Sequence, residues 1–204
     1  QSELGTVQGG SISPLLANIY LHYAFDLWVK QWRGRHARGD MIVVRYADDW
    51  VAGFQFRGDA ERFQREVSER LDQFGLKLHP DKTRLIEFGR FARESRSRKG
   101  QGKPQTFDFL GFTHCCGTTR KGKFMVLRLT SAKRLRAKLQ AVKIELRRRM
   151  HHSIPEQGQY LRAVVAGHGR YFGVPNNGAR LSVFRFQVGR LWHRTLCRRS
   201  QTHH

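Results

Sequence analysis

Tyr46-Ala47-Asp48-Asp49, set between the apolar runs Met41-Ile42-Val43-Val44 and Trp50-Val51-Ala52-Gly53-Phe54, constrains this chain more than any other stretch. Two short β-prone runs joined by turn-forming residues predict an antiparallel hairpin with the acidic pair at its tip. Two adjacent carboxylates cannot both enter a core, because each ionised group would then need a partner or a metal. At an open tip they can hold a hard divalent cation such as Mg²⁺, which takes oxygen ligands and bridges substrate phosphates. Two such ions stabilise both the attacking and the leaving oxygen of an in-line displacement. An Asp-Asp pair in a turn is more commonly just a solvated turn, so the dipeptide alone does not decide between these readings.

Its context does. Upstream lies Gly5-Thr6-Val7-Gln8-Gly9-Gly10-Ser11-Ile12-Ser13-Pro14-Leu15-Leu16-Ala17-Asn18-Ile19-Tyr20-Leu21. Downstream lie Gly75-Leu76-Lys77-Leu78-His79-Pro80-Asp81-Lys82-Thr83 and Phe107-Asp108-Phe109-Leu110-Gly111-Phe112. Taken with the hairpin, these blocks resemble, in this order and at these intervals, the later palm motifs of a bacterial reverse transcriptase/maturase of the group II intron type.

The resemblance implies an α+β fold: an incomplete polymerase palm over residues 1–129, an antiparallel sheet with packed helices, followed by an all-α basic thumb over 130–204. It implies an RNA-directed DNA polymerase working by two-metal nucleotidyl transfer, with two Mg²⁺ ions (Mn²⁺ being the alternative). The partners implied are an RNA template, intron RNA, a DNA primer and deoxynucleoside triphosphates. Asp48 and Asp49 match the catalytic, metal-binding pair, with Asp48 as the direct ligand and Asp49 in support. Gln8, Gly9, Gly10, Tyr46, Ala47 and Lys82 match positions that approach nucleotide and template, and Leu110 and Gly111 match the segment that grips the primer end. Glycine at such places lets nucleic-acid backbone come close. Val7 stands where relatives often carry proline, a change in loop stiffness only.

The family uses a third carboxylate from an earlier strand. That strand and the fingers region are not in this sequence, so the chain reads as a fragment with little polymerase activity alone. Asp26, Asp40 and Asp108 are poor substitutes, placed respectively within the first helix, in a turn and in the Phe-Asp-Phe-Leu-Gly strand. The competing reading is an RNA-binding maturase or splicing cofactor that works through basic surface without catalysis.

Charge points the same way independently. Lys and Arg number 38 against 16 Asp and Glu, giving +22 and a pI near 11.2. Such self-repulsion is relieved by a polyanionic partner whose counterions are released on binding, which favours nucleic acid. The helix expected from Ser131 to Met150 sets Leu135, Leu139, Val142 and Leu146 on one face, with Lys133, Arg134, Arg136, Lys138, Lys143 and Arg147 around the rest. These six cations are the candidate nucleic-acid contacts. Tyr160, His168, Tyr171 and Phe172 come next at helical spacing, which favours core packing over base stacking.

A membrane role is not indicated. No apolar run approaches the 18 or so residues of a spanning helix, mean hydropathy is −0.59, and the first residues do not read as a signal peptide. Three cysteines without C-x-x-C spacing argue against a disulfide framework or zinc ribbon and fit a cytoplasmic setting. Oligomeric state is not encoded in any recognisable pattern.

For the remaining elements, Ser13-Pro14 predicts a helix start, with Leu15, Ile19, Leu21, Phe25 and Val29 forming one stripe out to about Trp32. Gly58-Asp59 predicts the cap of a second helix, buried through Phe63, Val67, Leu71 and Phe74. Leu78 to Phe88 reads as a strand and Arg90 to Pro104 as an exposed basic loop. Phe107–Thr113 and Phe124–Leu129 pair as strands around the turn Thr118–Gly122. Two more helices are expected near 157–172 and 178–199, parted by Gly173-Val174-Pro175.

Overall fold

A computed structural model of the chain describes residues 12–199. It forms two compact units, one ending at Ile86 and the other beginning at Glu87. The fold is α+β, as the motifs imply.

In the first unit, α1 (Ser13–Leu21) runs through a π-helical turn (His22–Asp26) into α2 (Leu27–His36). The helix begins after Ile12, with Ser13 as its first residue rather than its cap. The π-turn breaks the expected apolar stripe, since the extra residue per turn rotates the face presented by α2. Phe25 and Val29 are buried, while Leu15 and Ile19 remain 59% and 48% exposed.

The hairpin is β1 (Met41–Tyr46) against β2 (Asp49–Phe54), in register from Met41↔Phe54 to Tyr46↔Asp49. Its alternation decides which side is inside. Met41, Val43, Trp50, Ala52 and Phe54 pack on the core with Phe25, Val29 and Trp32. Ile42, Val44 and Tyr46 face outward.

Helix α3 (Arg57–Asp72) covers the inner face through Phe63, Val67 and Leu71. Phe63 is the hub, with the rings of Trp32, Phe54, Trp28 and Trp50 at 5.0, 5.2, 5.5 and 6.0 Å. Asp59 does not cap this helix. It is buried in the first turn, where it accepts bonds from the Arg38 backbone N–H at 2.8 Å and Arg38 Nε at 2.9 Å. Leu78 to Phe88 is not a strand: Leu76 and Leu78 pack against the core, but no neighbouring strand among the described residues completes a ladder.

The second unit opens with α4 (Ala92–Arg98), a short helix within the segment expected to be loop. Helix-forming arginines and a Glu94–Arg98 pair one turn apart, at 3.8 Å, support it. Strands β3 (Phe107–Phe109), β4 (Phe112–Thr118) and β5 (Phe124–Thr130) form an antiparallel meander in that order.

Three helices complete the unit: α5 (Ala132–Arg148), α6 (Ile154–Phe172) and α7 (Gly178–Cys197). They share a core of Leu135, Val142, Leu146, Leu161, Phe184 and Val188. A capping box starts α6, with Glu156 N–H donating to Ser153 Oγ and the Ser153 N–H donating back to the Glu156 carboxylate. Buried Asn177 joins β5 to the α6–α7 connection: its Nδ2 donates to Thr130 Oγ1 and the Phe172 carbonyl, each at 2.8 Å. Its Oδ1 accepts from the Thr130 N–H at 2.9 Å.

Candidate active site

The tip of the hairpin is the two-residue turn Ala47-Asp48, closed by the Tyr46↔Asp49 pair. Ala47 has φ +53°, a positive angle at the first turn position as primed hairpin turns require. Glycine normally takes that position, because a Cβ there crowds the backbone. A strained residue beside two carboxylates is the kind of irregularity that concentrates at working sites.

Asp48 and Asp49 are both exposed, and among the described residues neither pairs with a Lys, Arg or His. Asp49 shares the outer face with Tyr46, its direct cross-strand partner, opposite the face that Trp50 sends into the core. The tip therefore offers carboxylate oxygens with no cation already holding them. That donor set suits a hard divalent ion. Among the described residues no third carboxylate, histidine or cysteine joins them in a metal-sized cluster.

Arg45, which sequence reasoning missed, organises the approach to the tip. Its side chain is only 14% exposed. It grips the Asp26 carboxylate through Nε and Nη2, and its Nη1 donates to Asn18 Oδ1 at 3.0 Å and to the Ala47 carbonyl at 2.7 Å. The hydrogen bonds from Arg45 hold the Asp26 carboxyl below its usual range. Asp26 is thus occupied as an ion-pair partner. The signal was present: on β1, Met41, Val43 and Arg45 share the inward face, and an inward arginine needs a carboxylate.

Lys82 is exposed in a turn after His79, whose carbonyl accepts from the Lys82 and Thr83 N–H groups at 3.1 and 3.0 Å. Gln8, Gly9 and Gly10 lie outside the described residues.

In the second unit, Leu110 and Gly111 form the tight turn between β3 and β4, at φ +49° and +80°. The Leu110 carbonyl accepts from Tyr171 Oη and the Gly111 carbonyl from the Ser131 N–H, each at 3.0 Å. A Cβ on Gly111 would lie 3.6 Å from the Phe172 ring and 3.8 Å from Arg134 Cγ. The turn is therefore clamped between α6 and the start of α5, beside one of the candidate phosphate contacts.

Lys133, Arg134, Arg136, Lys138, Lys143 and Arg147 are all exposed on α5. Of the aromatics on α6, His168 is buried and stacked on Phe184 at 3.8 Å, whereas Tyr171 is 58% exposed.

An exposed acidic pair at the tip of a two-stranded hairpin, packed on helices in an α+β fold, is consistent with part of a polymerase palm. Residues 1–114 match the reverse transcriptase (RNA-dependent DNA polymerase) family, and the chain belongs to that family. No curated protein is similar enough in sequence to count as a relative. Among the described residues no helix is long and apolar enough to cross a membrane.

Proposed function

We propose that the chain supplies the later palm and the thumb of a group II intron-type reverse transcriptase. The observation that carries this reading is the exposed Asp48–Asp49 pair, without a cationic partner among the described residues, on a turn strained at Ala47 within a reverse transcriptase match. Asp48 and Asp49 are the residues that would hold the divalent ions. Mg²⁺ held there would supply positive charge to offset that of the triphosphate and of the attacking and leaving oxygens. The negative pair at the tip sets where such a cation rests, and Arg45 fixes the strand and turn that carry it. Tyr46 and Ala47 lie beside the templated nucleotide, Lys82 faces its phosphates, and Leu110-Gly111 lies against the primer end. The α5 cations track the phosphates of the bound hybrid.

A second reading, an RNA-binding maturase acting without catalysis, draws on the uniform exposure of the α5 cations. It predicts tight RNA binding with no role for the acidic tip.

The metal part is tested by titrating Mn²⁺ at substoichiometric levels while monitoring backbone amide signals by NMR. Paramagnetic broadening should begin at Tyr46–Asp49 and vanish in the Asp48→Asn/Asp49→Asn double variant. Broadening that starts elsewhere, or survives the double substitution, removes the tip as the metal site. The nucleic-acid part is tested by RNA affinity across a salt series. It should fall steeply with salt, and less steeply once Lys133, Lys138 and Lys143 are replaced by Gln.

A further inference from the structure

The outer face of α7 carries a feature that neither the palm chemistry nor the α5 surface uses. Arg185, Phe186, Gly189, Arg190, His193 and Arg194 line a shallow open depression along one side of this helix. Phe184 and Val188 turn the opposite way, into the core. Phe186 is 62% exposed, and the Arg190 guanidinium lies 5.8 Å from its ring centre.

Gly189 is the informative residue. A glycine inside a helix destabilises it relative to alanine, so a packing reason is expected. Among the described residues none exists: a Cβ on Gly189 would meet nothing within 4 Å. The space it leaves opens outward, onto bare helix backbone ringed by cations.

The charge identifies what can close on that gap. Helix α7 contains no acidic residue, and no Asp or Glu occurs after Glu156 in the chain. Beyond Lys143 every Lys/Arg position is arginine. Among the described residues Arg185, Arg190 and Arg194 have no carboxylate partner. Arginine's planar fork grips phosphate oxygens and stacks on bases, which a lysine-rich solubilising face would not do as well. An exposed phenylalanine can stack only on a base that is not already stacked in a duplex.

We infer that the outer face of α7 binds single-stranded nucleic acid, with Phe186 stacking on a base. Arg185, Arg190 and Arg194 hold phosphates, and Gly189 admits the sugar-phosphate backbone. This rests on the nucleic-acid-binding part of the proposed function but names a surface distinct from the α5 cations. Both RNA and DNA single strands carry the chemistry required.

The test is fluorescence anisotropy on the full chain with labelled oligouridylate and oligothymidylate, with an RNA duplex measured alongside. The variants are Phe186→Ala, Gly189→Gln and, for comparison, Lys133→Gln/Lys138→Gln/Lys143→Gln. Phe186→Ala and Gly189→Gln should each weaken single-strand binding about five-fold or more, while duplex affinity holds. Preference between the two oligonucleotides tells which strand the face serves. Gly189→Gln should melt no lower than the parent, because its side chain enters open space. The α5 variant should weaken single strands and duplex alike.

Unchanged single-strand affinity in Phe186→Ala and Gly189→Gln, with the α5 variant still impaired, overturns this inference alone and leaves the face as a protein-contact surface. A lowered melting temperature in Gly189→Gln makes the glycine a packing residue and also overturns it. No binding of any nucleic acid by the parent chain would sink both this inference and the binding part of the proposed function.

Discussion

The guanidinium of Arg45 spans both carboxylate oxygens of Asp26, Nε to Oδ1 at 2.8 Å and Nη2 to Oδ2 at 2.5 Å. One residue on the strand before the acidic turn is thereby fixed to the π-turn of the preceding helix. Its remaining nitrogen holds the carbonyl of Ala47, the residue that bends the tip. The position of the Asp48–Asp49 pair therefore depends on an ion pair seated beneath it.

Replacing Arg45 with Gln strands Asp26 and frees the Ala47 carbonyl. Urea unfolding should show a loss of about 1–3 kcal/mol at neutral pH. Arg45→Lys should fall between the two, since one ammonium cannot make a two-nitrogen contact and also reach Ala47. Because Asp26 has a folded-state value below the ordinary carboxylate range, the pair's contribution is complete above about pH 4 and declines as pH falls through that lower value. The gap between parent and Arg45→Gln should accordingly narrow in strong acid, the part owed to the Ala47 carbonyl and Asn18 remaining.

Ala47 at φ +53° predicts an inversion of the usual ranking of residues. Ala47→Gly should raise thermal stability by the equivalent of up to about 1 kcal/mol, because glycine takes a positive φ without steric cost. Ala47→Val should lower it, since branching at Cβ worsens the clash. A melting series of the three proteins checks the order.

How much was legible in the sequence depends on how local each feature is. The hairpin was readable, because two β-prone runs around turn-forming residues fix it locally, whereas its inward face was not, since Met41–Val44 is apolar on both faces. The Phe63, Val67 and Leu71 face of α3 was readable because helical spacing is equally local. The Arg45–Asp26 pair joins residues 19 positions apart and exists only once helix and hairpin have packed. Leu78–Phe88 has strand-like composition but lacks a ladder partner among the described residues, so Leu78 packs on the core and the chain then turns at His79–Thr83. Helix α4 was hidden by a basic, serine-containing, glycine-flanked composition that reads as loop, although its alanine, arginines and glutamate are good helix formers.

Buried His168 sets an acid limit on the second unit. Burial, and then the charge of Lys138, push its imidazole below the usual value of about 6.5, and its Nε2 has no hydrogen-bond partner among the described residues. The native state thus favours neutral His168, while the unfolded chain takes up a proton more readily. Stability from this group is complete above about pH 6.5 and is lost as pH falls through the lower folded value. His168→Phe, which keeps the stack on Phe184, should flatten the dependence of melting temperature on pH between about 7.5 and 5. An unaltered slope would assign the acid sensitivity to another group, with His114, also lowered by burial, the next to replace.

The central claim, that Asp48 at the hairpin tip serves RNA-templated DNA synthesis, is tested most directly by primer extension. The described residues provide two carboxylates and no third in a metal-sized cluster, so the chain is assayed joined ahead of Gln1 to a reverse transcriptase segment whose palm strand carries one. With Mg²⁺, an RNA template, a DNA primer and deoxynucleoside triphosphates, the joined protein should extend the primer. Asp48→Asn keeps the shape and removes the charge, and should lower the rate by on the order of 100-fold or more. Undiminished synthesis with Asn at position 48 would contradict the account, and no synthesis by the joined protein would leave the RNA-binding reading in its place.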